Sequence, residues 1–230
     1  SINYDFSLQA ESPCIDAGDP DSGQDPDNTI KDLGSFFYNQ GLVPTLTIDF
    51  PYYTNSNTVN VILTFNEAVS DLNSDNFVLE NCEINNIQGN EQMYVIELQP
   101  QNEGICTISI PENSMTGSNG IGNLEAGLSF YYDITPPLYE VDFDINDPTN
   151  DSSYAIGITF SEPVLGEIEN AFDLLNCEIE NVVSTGDNSF SLLLNALSGG
   201  QINVELIENS FLDQAGNGIE QGVILSIYFD

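Results

Sequence analysis

Carboxylates are nearly the only side chains in this sequence that can do ionic chemistry. The 230 residues include 37 Asp and Glu against a single base, Lys31, which gives a formal net charge of −36. His and Arg are absent, which excludes a His-based catalytic triad, a His-ligated zinc and an arginine clamp on phosphate. Nucleic acids and anionic membranes are excluded as partners, because both are bound through clustered Lys or Arg. Carboxylate, amide and hydroxyl chemistry remains.

Four oxygen-bearing side chains form the first candidate metal site: Asp133, Glu162, Asp213 and Asn217. Asp133 opens the segment D-I-T-P-P, Glu162 follows a strand-like run, and the other two share one Gly-containing loop. If the first strand of a sandwich runs away from the pole where the chain enters, the loops after the second and sixth strands lie at that same pole. The segment with Asp133, the loop with Glu162 and the loop with Asp213 are then expected to lie together. Converging carboxylates, an amide oxygen and backbone carbonyls suit Ca²⁺, which takes six to eight oxygen ligands. The competing interpretation is that Glu162 and Asp213 only cap turns and face water.

A second acidic cluster lies near the start of the chain, in a segment punctuated by Pro and Gly. The candidate ligands there are Asp19, Asp21, Asp25 and Asp27, with Asp16 and Asp32 at the two ends. Their density predicts a Ca²⁺ loop on the same oxygen-ligand argument. An ordinary series of Asp-rich turns is the alternative, since Asp hydrogen-bonds its own backbone in turns.

The four cysteines have no His or basic neighbour that would lower a thiol pKa, which argues against a catalytic thiol. They are Cys14, Cys82, Cys106 and Cys177. The sequence predicts strands near 82–88 and 105–110, whose first residues include Cys82 and Cys106 and which share one pole, so a Cys82–Cys106 disulfide is geometrically possible. Two buried free thiols are the alternative, because unpaired Cys is among the most buried residue types.

The elements that position these residues repeat along the chain. Four motifs return in the same order at an offset of 95 (159 − 64) to 97 (225 − 128) residues. They are T-F-N-E-A-V at 64–69 and T-F-S-E-P-V at 159–164, N-C-E-I at 81–84 and again at 176–179, E-N-S at 112–114 and again at 208–210, and L-S-F-Y-Y-D at 128–133 and L-S-I-Y-F-D at 225–230. Such ordered self-similarity indicates two copies of one domain.

Within each copy the apolar residues alternate with polar ones. Val59, Val61, Leu63 and Phe65 do so in the first copy, and Ile156, Ile158 and Phe160 do so in the second. Short strands of period two, separated by Gly, Asn and Pro turns at about 10 residues, indicate β-sandwiches. The predicted fold is therefore all-β, with sandwiches at 44–135 and 136–230.

These motifs resemble the bacterial Ig-like domains that occur in tandem on secreted and surface proteins. The resemblance rests on T-F-S-E-P-V, N-C-E-I-E-N, the D-I-T-P-P joint and I-E-N-S-F-L-D-Q-A-G-N at 207–217. It implies tandem Ig-like β-sandwiches and an extracellular or cell-surface setting. The first copy departs from the pattern at 115–123, where no acid stands in the place of Asp213.

Residues 1–43 differ in kind from the two repeats. S-P-C-I-D-A-G-D-P at 12–20, D-P-D-N-T at 25–29 and D-L-G-S-F-F-Y at 32–38 resemble the C-terminal end of a right-handed parallel β-helix. The family usually has Gly where this chain has Asn28. The resemblance implies a β-helix tail or cap ahead of the first sandwich, with most of the β-helix missing from this chain.

Two functions from different classes fit this sequence. The first is a non-enzymatic extracellular stalk, spacer or adhesive fibre segment, with joints stiffened by Ca²⁺, that contacts other surface proteins, glycans or copies of itself as in a filament. The second is a carbohydrate-binding module of a larger polysaccharide-active protein, using the aromatic runs at 36–38, 52–53 and 131–132. No pair of acids is singled out by spacing as a glycosidase pair, so we expect no enzyme.

Overall fold

Strands and connecting loops make up the computed structural model of this chain. It describes residues 8, 12–25, 29–34, 38, 41–70, 72–118, 120–186 and 188–230. Fourteen strands and three short 3₁₀ turns lie within those residues, so the predicted all-β class is confirmed. In the same residues, no helix is long and apolar enough to cross a membrane.

The chain divides into two compact units. The first comprises Ser1–Pro51 and Ser56–Phe130, and the second comprises Tyr52–Asn55 and Tyr131–Asp230. Each unit is an Ig-like β-sandwich, with alternate strand residues turned into a buried core. Tyr52–Asn55 is thus grouped with the second sandwich, although the sequence places it far ahead of that repeat.

The first unit contains an antiparallel sheet of order β1-β3-β5. It also contains strands β7, β6 and β4 of a four-stranded sheet, whose remaining strand, β2 (Tyr53–Thr54), is grouped with the second unit. The other strands are β1 (Pro44–Thr47), β3 (Val59–Val69), β4 (Val78–Glu80), β5 (Cys82–Pro100), β6 (Gly104–Ile110) and β7 (Ala126–Tyr132). Along β3 buried and exposed positions alternate, and Val61 and Leu63 are fully buried. Ile96, Ile108 and Phe130 are buried from the other strands. The period of two in the sequence therefore marks the core of this sandwich.

In the second unit, two antiparallel sheets have the orders β11-β12-β9-β8 and β10-β13-β14. Their strands are β8 (Tyr139–Asp142), β9 (Ser153–Phe160), β10 (Phe172–Leu175), β11 (Cys177–Gly186), β12 (Ser189–Ala196), β13 (Gly200–Leu206) and β14 (Gly222–Phe229). Both sheets contribute to one cluster of buried side chains, including Ile156 and Leu192 from the first and Val204 and Leu225 from the second.

A short parallel pairing occurs twice in the second unit. β2 (Tyr53–Thr54) lies parallel to the end of β7, and the backbone N–H of Asp133 donates to the Thr54 carbonyl at 3.0 Å. Thr149 pairs in parallel with Phe229 in the same way, and there the N–H of Asp230 donates to the Thr149 carbonyl at 2.9 Å. The repeat seen in the sequence thus extends to individual backbone hydrogen bonds.

The described part of residues 1–43 contains no strand. It has a 3₁₀ turn at Pro20–Ser22, in which the Asp19 carboxylate accepts a hydrogen bond from the N–H of Asp21, and an isolated bridge between Gln24 and Ile30. Leu42 is fully buried and bridges Asn123 in the first sandwich. The β-helix tail stays a prediction.

Candidate functional site

Two loops of the second unit are joined close to where that unit's repeat begins. One loop follows β9 and carries Glu162, and the other lies between β13 and β14 and carries Asp213. Leu165 of the first loop and Leu212 of the second form a bridge, with reciprocal backbone hydrogen bonds of 2.7 and 2.9 Å. This local pairing brings the two acids to the same place.

The Asp213 loop is a tight turn built around its own carboxylate. The backbone N–H of Asp213 donates to the Asn217 carbonyl at 2.9 Å, and Gly216 supplies the positive φ of 93° that the turn requires. Asp213 Oδ1 accepts from the N–H groups of Ala215 and Asn217, each at 2.8 Å, and Oδ2 accepts from Asn217 Nδ2 at 2.7 Å. Asp213 is only 2% exposed, so these donors hold the carboxylate in one orientation.

Asp133 is fixed to the same loop through the Asn217 amide. Asn217 Nδ2 donates to the backbone carbonyl of Asp133 at 2.9 Å, and Asn217 Oδ1 accepts from Asn55 Nδ2 at 3.2 Å. The Asp133 carboxylate itself accepts from the N–H of Thr135 at 3.0 Å. Asn217 therefore holds the chain before the second repeat against the acidic loop, and its amide oxygen already has a partner.

Carboxylate oxygens from Asp133, Glu162 and Asp213 all lie within 4.8 Å of one another. The pKa of Glu162 is raised, first by burial and then by the negative charges of Asp213 and Asp133. Lys31, the one base in the sequence, donates elsewhere, to the Ser22 carbonyl at 3.0 Å. The cluster thus concentrates negative charge that no basic side chain offsets.

The predicted loop near the start of the chain is arranged differently. The Asp19 carboxylate accepts from the N–H of Asp21, and the Asp25 carboxylate accepts from the N–H of Asp32, both at 2.9 Å. Over the residues that the structure describes, these acids do not gather into a group of three with adjacent oxygens. Asp27 lies outside the described residues. The backbone contacts are those of Asp-rich turns.

Asn55 contacts the loop that carries Asp213, and the sequence pattern does not predict this contact. Asn55 lies on the segment with β2, far from the second repeat in sequence, yet it donates to Asn217. The available signal is the dipeptide Thr-Asn, which occurs at 54–55 and again at 149–150. Because the backbone pairing of Thr54 is repeated at Thr149, those two dipeptides are structural equivalents.

The first unit has the same loop with different side chains. The N–H of Gly117 donates to the Ile121 carbonyl at 2.9 Å, as the N–H of Asp213 does to the Asn217 carbonyl. A bridge between Thr116 and Gly122 closes this loop, and Leu212 and Gly218 close the other. Gly and Ile therefore replace Asp and Asn on an equivalent backbone.

Glu67 is the first-unit counterpart of Glu162, 95 residues earlier (162 − 67). Its carboxylate accepts from the backbone N–H of Ser118 at 3.1 Å and also from the Ser118 hydroxyl. Thus Glu67 lies next to hydrogen-bond donors in the first copy, whereas Glu162 lies next to other carboxylates in the second. The expectation that the first copy lacks the acidic loop residue agrees with this arrangement.

All four cysteines are free thiols in this structure: Cys14, Cys82, Cys106 and Cys177. The Cys82 thiol donates to the Thr107 carbonyl at 3.4 Å, and the Cys106 thiol donates to the Asn81 carbonyl at 3.3 Å. Burial raises the pKa of Cys82, and burial followed by the neighbouring Cys82 raises the pKa of Cys106 to about 11. The two thiols are both buried and lie close together, and the Cys82–Cys106 disulfide stays a prediction.

Three tyrosine rings of the second unit adjoin one another. Tyr53 is 5.0 Å from Tyr52 and 5.5 Å from Tyr131, measured between ring centroids. All three are half-buried, whereas Tyr132 is only 8% exposed. Residues 36–37 of the other aromatic run lie outside the described residues.

No family model and no curated protein matches this chain. Among solved structures it is similar to invasin, titled a bacterial integrin-binding protein, at 10% identity and a TM-score of 0.40, over 87% of this chain and 43% of that one. The Yersinia pseudotuberculosis adhesin InvE gives 13% identity and a TM-score of 0.30, over 81% and 58%. InvD of the same organism gives 12% and 0.34, over 81% and 57%.

The chain spans about half the length of these solved structures. The sandwich fold of each unit rests on its own strand order and burial.

Proposed function

We propose that this chain is a non-enzymatic extracellular stalk or adhesive fibre segment whose second sandwich binds Ca²⁺ at its entry. The ion is held by the carboxylates of Asp133, Glu162 and Asp213, with Asn217 orienting the loop. The partners of such a segment are other surface proteins, glycans or further copies of the same chain, as in a filament.

A single observation carries this proposal: three carboxylates lie within 4.8 Å of one another in a chain with one Lys and no Arg or His. Like charges this close raise the free energy of the folded state unless a cation neutralises them. The described hydrogen bonds to the Asp213 and Asp133 carboxylates come from neutral backbone N–H groups and the Asn217 amide, which orient the carboxylates without cancelling their charge. All-oxygen donors without imidazole or thiolate favour Ca²⁺ over Zn²⁺.

Binding of an ion here has a mechanical consequence for the second unit. Asp133 follows directly on the strand end that pairs with Thr54, whereas Glu162 and Asp213 belong to loops between later strands. An ion shared by the three acids therefore ties the entering chain to the loops of the sandwich. Such a link restricts the movement of residues 133–137 relative to the loops of the second sandwich. A rigid segment suits a spacer that must keep a constant length.

The test compares unfolding of the full chain in EDTA and in Ca²⁺, followed by circular dichroism and by hydrogen exchange of peptides from each sandwich. A ligand present at 100 times its dissociation constant stabilises by about 2.7 kcal/mol. For a domain of this size that corresponds to a rise in melting temperature of roughly 10 °C or more. We expect the rise in the second sandwich.

Glu162→Gln and Asp213→Asn should abolish this rise, and Glu67→Gln, which changes the equivalent acid of the first copy, should leave it intact. Unchanged melting of the second sandwich at millimolar Ca²⁺ would overturn the calcium proposal. An equal rise in the Glu162→Gln variant would overturn the assignment of the site.

The carbohydrate-binding module remains a second candidate because Tyr52, Tyr53 and Tyr131 adjoin one another. Aromatic faces stack on sugar rings through their apolar surface. Glycan-array binding that disappears in Tyr53→Ala and Tyr131→Ala, but survives in Tyr228→Ala at a half-exposed site on β14, would favour this module. Binding that none of the three changes would exclude the tyrosine cluster as its basis.

A further inference from the structure

Cys82 and Cys106 contact each other's neighbours across the first sandwich. The Cys82 thiol reaches the carbonyl of Thr107, which follows Cys106, and the Cys106 thiol reaches the carbonyl of Asn81, which precedes Cys82. Asn81 Nδ2 also lies 3.6 Å from the sulfur of Cys106. These reciprocal contacts place both sulfurs in the same small space between the start of β5 and the start of β6.

Strand register explains why the two cysteines meet. β4 pairs antiparallel with β6, with Glu80 opposite Thr107. The next residue, Asn81, has a positive φ of 56°, and it turns the chain from β4 into β5. That turn directs the side chain of Cys82 inward, next to the strand that carries Cys106. Both are buried, at 6% and 0% exposure.

The second sandwich shows that packing alone does not require two cysteines here. Asn176 and Cys177 repeat Asn81 and Cys82, including the positive φ of 58° at the asparagine and the contact of the thiol with a carbonyl on the neighbouring strand. The counterpart of Cys106, 96 residues later, is Ile202, which is fully buried. An aliphatic side chain fills the same place, so the second sulfur of the first copy is not a packing necessity.

We propose that Cys82 and Cys106 form a disulfide that staples the first sandwich and has no counterpart in the second. The reaction is a two-electron oxidation by a disulfide, such as oxidised glutathione or the active-site disulfide of a thiol oxidoreductase. The thiolate of one cysteine attacks the oxidant and displaces one of its sulfurs as a thiol. The other cysteine then attacks the mixed disulfide, forms the Cys82–Cys106 bond and releases the second thiol.

Burial determines when this bond forms. A thiol with a raised pKa that is screened from solvent reacts slowly, because the thiolate is the reacting species. The bond therefore forms while the chain folds, before β4–β6 closes over the two sulfurs. Once formed, it is protected from reductants by the same burial. This staple is independent of calcium binding and lies in the other sandwich.

The experiment refolds the full chain in a glutathione redox buffer and counts thiols by maleimide mass tagging. We expect loss of two thiols, a mass decrease of two hydrogens, and a crosslinked peptide that joins Cys82 to Cys106. Cys177→Ser should not change this result. Four taggable thiols after oxidative refolding to the native circular dichroism spectrum, or a crosslink that involves Cys177 or Cys14 instead, would overturn the proposal.

The matched variant is Cys106→Ile, which installs the residue that the second repeat uses and is therefore expected to fold. Reduction should lower the melting temperature of the first sandwich in the native sequence by roughly 10 °C, the size expected for opening a loop of this length. The Cys106→Ile protein should show no such dependence on reductant. The same shift in that variant would mean that the staple does not exist.

Discussion

The loops that connect β6 to β7 and β13 to β14 share their closing backbone contacts, but each meets a glutamate of its own repeat in a different electrostatic arrangement. In the first sandwich Glu67 accepts hydrogen bonds from the N–H and hydroxyl of Ser118. In the second, Glu162 faces Asp133 and Asp213, and its pKa is raised. The difference teaches that the loop geometry is a property of the repeat, whereas the local concentration of negative charge, on which the calcium proposal rests, depends on a few side chains.

The largest test of this comparison removes the buried acid. Asp213→Ala should destabilise the second sandwich by about 3 kcal/mol, since it leaves buried N–H groups of Ala215 and Asn217 without an acceptor. Hydrogen exchange of β13 and β14 peptides measures the loss. Gly117→Ala places alanine at the equivalent position of the first copy, where no side-chain acceptor is removed. It should change the stability of the first sandwich by less than about 1 kcal/mol. Equal losses from both variants would contradict the proposed role of Asp213.

The next test asks whether the two glutamates have opposite effects. In EDTA, Glu162→Gln should stabilise the second sandwich by up to about 1 kcal/mol, because it removes a charge that two carboxylates repel. Glu67→Gln should destabilise the first by about 1 kcal/mol, because a charged acceptor of two hydrogen bonds becomes neutral. Urea unfolding with hydrogen exchange on each sandwich gives both values. A destabilising Glu162→Gln in EDTA would reverse the comparison.

The pH dependence of stability should differ between the two sandwiches of the native protein. In the folded state Glu162 has a pKa above its ordinary value of 4.5, so the folded protein binds that proton more tightly than the unfolded chain does. Its contribution to stability is present below that ordinary value and is lost as pH rises through the raised pKa. Calcium should suppress the loss, because the ion competes with the proton. Melting at a series of pH values, with Glu162→Gln as the reference, measures this contribution, and an identical pH profile for that variant would contradict it.

The smallest expected effect concerns a serine shared by the two loops. Ser114 Oγ donates to Asn123 Oδ1 at 3.4 Å, whereas Ser210 Oγ is buried without a hydrogen-bond partner among the residues that the structure describes. Ser210→Ala should therefore be neutral or stabilising by about 0.5 kcal/mol, and Ser114→Ala should destabilise by a similar amount. Thermal unfolding of the two variants decides the sign.

The repeat in the sequence is enough to predict the fold because both of its signals are local. Alternation along β3 and β9 marks the core, and the return of T-F-N-E-A-V as T-F-S-E-P-V marks the second copy. Strand direction is also enough to expect Asp133, Glu162 and Asp213 at one pole, and the structure places their oxygens together. Whether an ion lies between them remains a proposal.

Other features depend on contacts that spacing does not encode. Ser118 reaches Glu67 across 51 residues, and Asn55 reaches Asn217 across 162, so no local pattern announces either pair. Among the described residues near the start of the chain, backbone N–H groups donate to the Asp19 and Asp25 carboxylates. Composition alone does not show whether such a carboxylate meets an N–H group or other carboxylates.

The short parallel pairs, β2 with the end of β7 and Thr149 with Phe229, matter when the chain is under tension. Parallel neighbours point the same way, so a force that draws the outgoing strand forward slides it along its partner. The hydrogen bonds that join them, such as Asp133 to Thr54 and Asp230 to Thr149, lie across that direction and share the load instead of opening one after another. If the chain serves as the proposed stalk, a pull along either outgoing strand would load these hydrogen bonds together in shear.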